Sequence, residues 1–191
     1  MALKVLCDRI LNDGKCLEGG ILKVDRFINH QMDPYLMKQV AIEFIRRFAD
    51  LDINKIITVE ASGIAPAVML GYLMGLPVVF VKKKIPKTVE EYWKSWVYSF
   101  TKGETTTVCV DRQFLTAHDR ILFIDDFLAD GHASGSIIHL CRQCGAQIVG
   151  MGFLVEKGFA QGGQFLRDHS IPYHALATIT RINEDGSMDL Q

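Results

Sequence analysis

Apolar positions along this chain repeat with two periods in turn, one helical and one of strands. A first amphipathic helix is predicted to run from the N-terminus to Gly14, followed by an irregular Gly-containing stretch, "EGGILKVDRFINHQ". Asp33-Pro34 reads as an N-cap with proline at the first helical position. Leu36, Val40, Phe44 and Phe48 then fall about one turn apart, predicting a helix to about Ala49. The β-branched run "KIITVE" is a buried strand, "ASGIAP" a turn, "AVMLGYLMG" a helix closed by Gly75, and "PVVFVKK" a second strand. Strand, glycine turn, helix and strand within about thirty residues is the βαβ unit of a parallel sheet.

From Lys82 to Thr107 the regularity lapses. "KKKIPKTVEEYWKSWVYSFTKGETTT" carries both tryptophans without a clean helical or strand period, and so long an excursion inside a domain reads as a flexible loop or lid over residues 82–107. Regularity returns with the strand "RILFID", the helix "ASGSIIHLCRQCG", the strand "QIVGMGFLVE", a Gly-rich turn with a short helix, and the strand "YHALATIT". The expectation is one α/β domain over residues 1–191, a central parallel sheet flanked by helices, with residues 1–32 and the C-terminal segment as a hood.

Composition narrows the function classes. Twenty-one basic against 22 acidic residues leave a net charge of −1, with no polybasic tract for nucleic acid or membrane. The N-terminal helix carries Asp8, Arg9 and Asp13 and shows no small-residue cleavage site, so no signal or membrane-spanning segment is expected. Five scattered cysteines argue for a reducing cytoplasm rather than a disulfide framework. Cys141 and Cys144 have metal-ligand spacing. A lone CxxC on a predicted helix is read as two neighbouring core residues instead.

The candidate chemistry centres on "ILFIDDFLADGHASGS", Ile121–Ser136. Four apolar residues run into Asp125 and Asp126, predicted at the carboxyl end of a central strand, where open α/β sheets bind ligands. Side chains alternate along a strand, so one acid can enter the crevice while the other turns to a neighbouring loop. Two carboxylates there can accept from a vicinal diol or hold a divalent cation through water. The turn Ala129-Asp130-Gly131-His132-Ala133-Ser134 leads into a helix whose free N–H groups suit a phosphate. Together these describe a site for a ribose 5-phosphate. A second small-residue turn, "VEASGIAP", offers Ser62 and Gly63 to another anion.

These residues resemble the phosphoribosyl-diphosphate motif of type I phosphoribosyltransferases. "LKVDRFINHQMDP", "EASGIAPAV", "PVVFVKK", "VYSFTKGE" and "EKGF" are similar to segments of the bacterial xanthine-specific subgroup. The resemblance implies a purine-salvage transferase acting on xanthine and phosphoribosyl diphosphate with magnesium, as a homodimer. In that reading Asp125 and Asp126 hold the ribose and, through water, the metal. Ala129, Asp130, Gly131, His132 and Ala133 take the 5-phosphate, and Ser62 and Gly63 the pyrophosphate. Lys82 reaches the pyrophosphate across the dimer, while Leu22, Asn29 and Lys157 surround the purine. Asp130 departs from the threonine-rich phosphate turn of many members, and is expected to turn away from the phosphate. Transfer to guanine, hypoxanthine or adenine, or a non-catalytic sensor of phosphoribosyl diphosphate, are the competing readings.

Overall fold

The protein's computed structural model describes residues 2–17, 20–99, 104–183 and 185–191. The first elements are helix α1 (Lys4–Asp13), the short strands β1 (Lys15–Leu17) and β2 (Ile21–Lys23), and a π-helical turn, Asp25–Asn29. Helix α2 (Pro34–Arg47), strand β3 (Lys55–Val59), helix α3 (Ile64–Met74) and strand β4 (Val78–Val81) follow. Strands β5 (Tyr92–Ser99) and β6 (Glu104–Asp111) come next, then β7 (Arg120–Leu128), helix α4 (His132–Cys144) and strand β8 (Gln147–Lys157). The chain ends with helix α5 (Gly162–Asp168) and strands β9 (Tyr173–Ile182) and β10 (Met188–Leu190).

Six strands form the main sheet in the order β10-β9-β8-β7-β3-β4, parallel except for β10 against β9. The chain places β4 on one side of β3 and later returns to place β7 on the other. That reversal makes a topological switch point between β3 and β7, and the crevice beyond their carboxyl ends is where such sheets take ligands.

The period of two along the central strands divides the core between the faces. Ile56, Leu122 and Ile124 join the cluster that includes Phe44 of α2, Phe48 at its C-cap and Leu70 of α3. Ile57, Ile121 and Phe123 join the opposite cluster with Ile137 and Leu140 of α4 and Val108 and Val110 of β6. The Asp33 carboxylate caps α2 by accepting from the N–H groups of Tyr35 (3.0 Å) and Leu36 (3.1 Å). Gly75 and Gly145 close α3 and α4 in the left-handed conformation that residues with a Cβ rarely adopt.

Several sequence expectations are corrected. Residues 92–99 and 104–111 form a regular antiparallel hairpin, with Tyr92 opposite Asp111 and Ser99 opposite Glu104. Its period of two is disguised: buried Ser95 occupies an inward position, whereas Trp96 faces outward on the His139 ring. The part of the expected lid at residues 100–103 lies outside the described residues. The N-terminal stretch read as irregular holds β1, β2 and the π-helical turn. Helix α3 begins at Ile64, inside the segment read as a turn.

Strand β7 runs three residues beyond Asp125, because its pairing with β8 continues to Leu128 opposite Glu156. Its pairing with β3 ends at Phe123 opposite Ile57. The acids therefore lie within a strand that is bonded on one edge and open on the other. Cys141 is buried in α4, where burial pushes its thiol up to about 12. Among the described residues no three potential metal-ligating side chains cluster.

Candidate active site

Where β3 and β7 part, the turn after β3 fills the gap. Gly63 lies so close to β7 that a Cβ there would stand 2.2 Å from the Thr58 hydroxyl and 3.0 Å from Asp125 Oδ1. Ser62 lies near enough to Asp126 to favour the ionised form of its carboxyl. Asp126 N–H donates to Asp125 Oδ1 at 3.0 Å, and Phe127 N–H to Asp126 Oδ1 at 3.1 Å. The two turns singled out in the sequence thus meet at the acidic pair.

Asp125 is 8% exposed. Burial, and then the neighbouring negative charge of Asp126, hold its carboxyl well above the usual carboxylate range. Burial raises Asp126 as well, against the lowering influence of Asp125, the backbone N–H groups and Ser62. Two raised carboxyls side by side favour a ligand that brings hydroxyl donors or positive charge.

A cleft of about 990 Å³ opens above Asp126. Its walls bring together the predicted residues Leu22, Asn29, Asp126, Ala129, Asp130 and Lys157. Asn29 arrives on the π-helical turn and is exposed; Leu22 arrives on β2 and is nearly buried. Lys157, at the end of β8, donates to the Gly20 carbonyl at 2.9 Å, tying the sheet to the N-terminal segment. Leu17, Ile21 and Phe159, all substantially exposed, add an apolar wall suited to a flat ring. Sequence reading missed this wall, since Leu17 and Ile21 carry no signal until β1 and β2 pair.

A second space of about 140 Å³ adjoins the cleft, sharing Phe127, Ala129 and Asp130 with it and continuing past Gly131, His132, Ala133 and Ser134. Gly131 has φ +82°, a left-handed conformation that glycine adopts without strain, and it stands as the N-cap of α4. Ser134 is 1% exposed, and its hydroxyl finds no hydrogen-bond partner among the described residues. A buried orphan hydroxyl at the rim of an anion turn is what a bound phosphate oxygen would satisfy. Asp130 is among the residues lining both spaces.

Lys82 stands apart from the cleft. Its backbone bridges Cys109, its ammonium lies 5.5 Å from the centre of the Phe80 ring, and it lines a separate, mostly apolar space of about 270 Å³. Its neighbour Lys83 donates its N–H to the Glu60 carboxylate, and its charge works against the burial that raises Asp125.

A switch-point crevice with paired acids at its floor and a glycine turn before α4 is an arrangement that solved structures share in fold. The chain is similar to an adenine phosphoribosyltransferase from Giardia lamblia complexed with 9-deazaadenine, with TM-score 0.77 and 17% identity over 95% of this chain and 99% of that one. It is equally similar in fold to one from Trypanosoma brucei, in complex with AMP, pyrophosphate and ribose-5-phosphate (TM-score 0.77, 19% identity, 96% of this chain and 84% of that one). The fold is therefore that of the phosphoribosyltransferases. No protein-family model matches the chain. Relatives do: a xanthine phosphoribosyltransferase from Ligilactobacillus salivarius is 47% identical over 184 residues, 96% of each chain. Another from Bacillus cereus is 45% identical over 185 residues, 96% of this chain and 94% of that one. The chain belongs to the xanthine phosphoribosyltransferase family.

Proposed function

We propose that the chain joins xanthine to phosphoribosyl diphosphate, forming xanthosine 5′-monophosphate and releasing pyrophosphate. The observation that carries this reading is that Asp126 and the predicted base-binding residues line one cleft, which adjoins the space along the turn before α4, in a chain of this family. Asp125 and Asp126 accept from the ribose hydroxyls and so fix the sugar across the switch point. Backbone N–H groups of residues 130–134 and the Ser134 hydroxyl take the 5-phosphate, while Ser62 and Gly63 receive the pyrophosphate. Leu22, Asn29 and Lys157 hold the purine over C1 of the ribose. Asn29 offers both donor and acceptor, and Lys157 a cation for an exocyclic oxygen.

The bond from C1 to the pyrophosphate oxygen breaks as a purine ring nitrogen bonds to C1, through an oxocarbenium-like state. Positioning and charge stabilisation supply most of such a barrier. Residues 1–32 act as a hood and 82–107 as a lid that excludes water from that state.

Magnesium fits as a cation that arrives with the donor. Asp125 and Asp126 would hold it through water, since magnesium keeps several waters and needs few protein carboxylates beside substrate phosphates. When bound it supplies charge neutralisation for the leaving pyrophosphate.

The reading extends to a homodimer in the cytoplasm. Ile64, Val68, Met69 and Tyr72 of α3, with Met32, make an apolar face suited to a second copy, and all five cysteines are free thiols. Among the described residues no helix is long and apolar enough to cross a membrane. Assaying nucleotide formation from phosphoribosyl diphosphate against a panel of purine and pyrimidine bases tests the function. Xanthine is expected to give the highest kcat/KM. Preference for adenine, or no product with any base, would overturn it.

A further inference from the structure

We infer that helix α5, with the Glu156–Tyr173 pair beneath it, is a positioning element for the phosphate turn and sets affinity for the anionic donor without setting affinity for the base. The inference rests on the proposed use of residues 129–134 as the 5-phosphate site.

Three contacts join α5 to that turn. Gly162 N–H donates to the Ala129 carbonyl at 2.6 Å. The peptide from Ala129 to Asp130 is trans, so its N–H points opposite to its carbonyl. Anchoring the carbonyl on α5 therefore aims the Asp130 N–H to the side away from α5. The Phe165 ring forms a floor under Gly131 and Gly135: a Cβ on Gly131 would stand 2.9 Å from Phe165 Cδ1, and one on Gly135 3.4 Å from its Cζ. Gly162 has no room for a side chain either, since a Cβ there would lie 2.4 Å from the Ala129 oxygen.

The helix is itself seated on polar groups from the sheet. Tyr173 of β9 donates to Glu156 Oε1 of β8 at 3.1 Å, and Arg167 of α5 donates to the Tyr173 hydroxyl at 3.2 Å. Gly163 lies directly over the pair, where a Cβ would meet Glu156 Oε1 at 2.5 Å and the Tyr173 hydroxyl at 2.6 Å. Glu156 immediately precedes Lys157, so the strand end that presents a base contact also carries the seat of the phosphate turn. A displacement of α5 by a few tenths of an ångström would pass through Gly162 and Phe165 to the turn. Among the described residues no hydrogen bond joins α5 to Asn29 or the π-helical turn.

Steady-state kinetics of the full chain, varying phosphoribosyl diphosphate and xanthine in turn, tests this. Phe165→Leu and Tyr173→Phe, which each remove only part of a side chain, carry the decision; Gly163→Ala is the severer probe. The KM for phosphoribosyl diphosphate is expected to rise about tenfold in Phe165→Leu and severalfold in Tyr173→Phe, as for other loosened supports of a binding residue. The KM for xanthine should stay within about twofold. A merely structural role would lower thermal stability and the active fraction while leaving both KM values alone, and that result overturns the inference. So does an equal rise in both. The wild-type arm separates the two levels: no turnover overturns the proposed function together with this inference, whereas normal turnover with unchanged variants overturns the inference alone.

Discussion

Asp125 shows how function and stability oppose each other at a single residue. Its carboxyl is held above the ordinary range by burial and by Asp126. A carboxyl with a raised folded-state pKa stabilises the fold fully at pH below its unfolded value, and that contribution is lost as pH rises through the folded value. Once ionised, the pair is thus a liability that a bound ligand offsets. Asp125→Asn cannot ionise. It is expected to raise the midpoint of thermal unfolding at neutral pH, by ~3 °C for each kcal/mol relieved in a chain of this size. The same variant, like Asp126→Asn, should lower turnover more than tenfold, about 1.4 kcal/mol or more of barrier. Calorimetry and initial rates check both, and near-normal turnover in the two variants would remove the ribose assignment.

The same shift predicts a pH profile. Because both carboxyls are raised, kcat/KM for phosphoribosyl diphosphate should begin to fall with acidification while still above the usual carboxylate range. A profile flat down to that range would contradict the assignment. Of these residue-scale facts the sequence showed the adjacent acids, but not the burial of Asp125, which depends on the turn after β3 closing over it.

At the scale of elements, one carboxylate joins three pieces of the N-terminal region. Asp33 caps α2 through Oδ1, and its Oδ2 accepts from Arg9 of α1 at 2.9 Å. The Arg9 guanidinium lies 5.1 Å from the centre of the Phe27 ring, in the π-helical turn that carries Asn29. Asp33→Ala should cost about 1–2 kcal/mol through loss of the cap. Asp33→Asn keeps an acceptor for the cap and should lose less than half as much. Denaturant unfolding of the two variants measures the difference, and equal losses would mean that the ion pair, not the cap, dominates. The cap was legible from Asp33-Pro34, since capping is local chemistry. The hairpin of β5 and β6 was not, because Ser95 sits inward to meet His139 at 3.1 Å, a contact made 44 residues along the chain.

At the scale of the whole molecule, the exposed face of α3 is the feature that a single chain leaves unexplained. Tyr72 is 81% exposed and Val68 52%, on a helix that carries no charged residue. If this face meets a second copy, Val68→Asp should shift the chain from dimer to monomer in sedimentation or size-exclusion measurements. A wild-type chain that is monomeric at working concentration would sink the proposal.

What the sequence determined by itself was local: the strands and helices with strong periods, the Asp33 and Gly75 caps, the turn before α4 and the adjacency of the two acids. Each depends on residues within a few positions of one another, so spacing alone carries the signal. What the tertiary structure decided was convergence. Only the return of β7 to the far side of β3 creates the switch-point crevice. Only the pairing of β1 with β2 brings Leu17 and Ile21 to the cleft, and only the packing of α5 brings Gly162 and Phe165 against the turn before α4. The separations run from four positions between Leu17 and Ile21 to more than sixty between β3 and β7, and packing, rather than any local preference, selects the contacts.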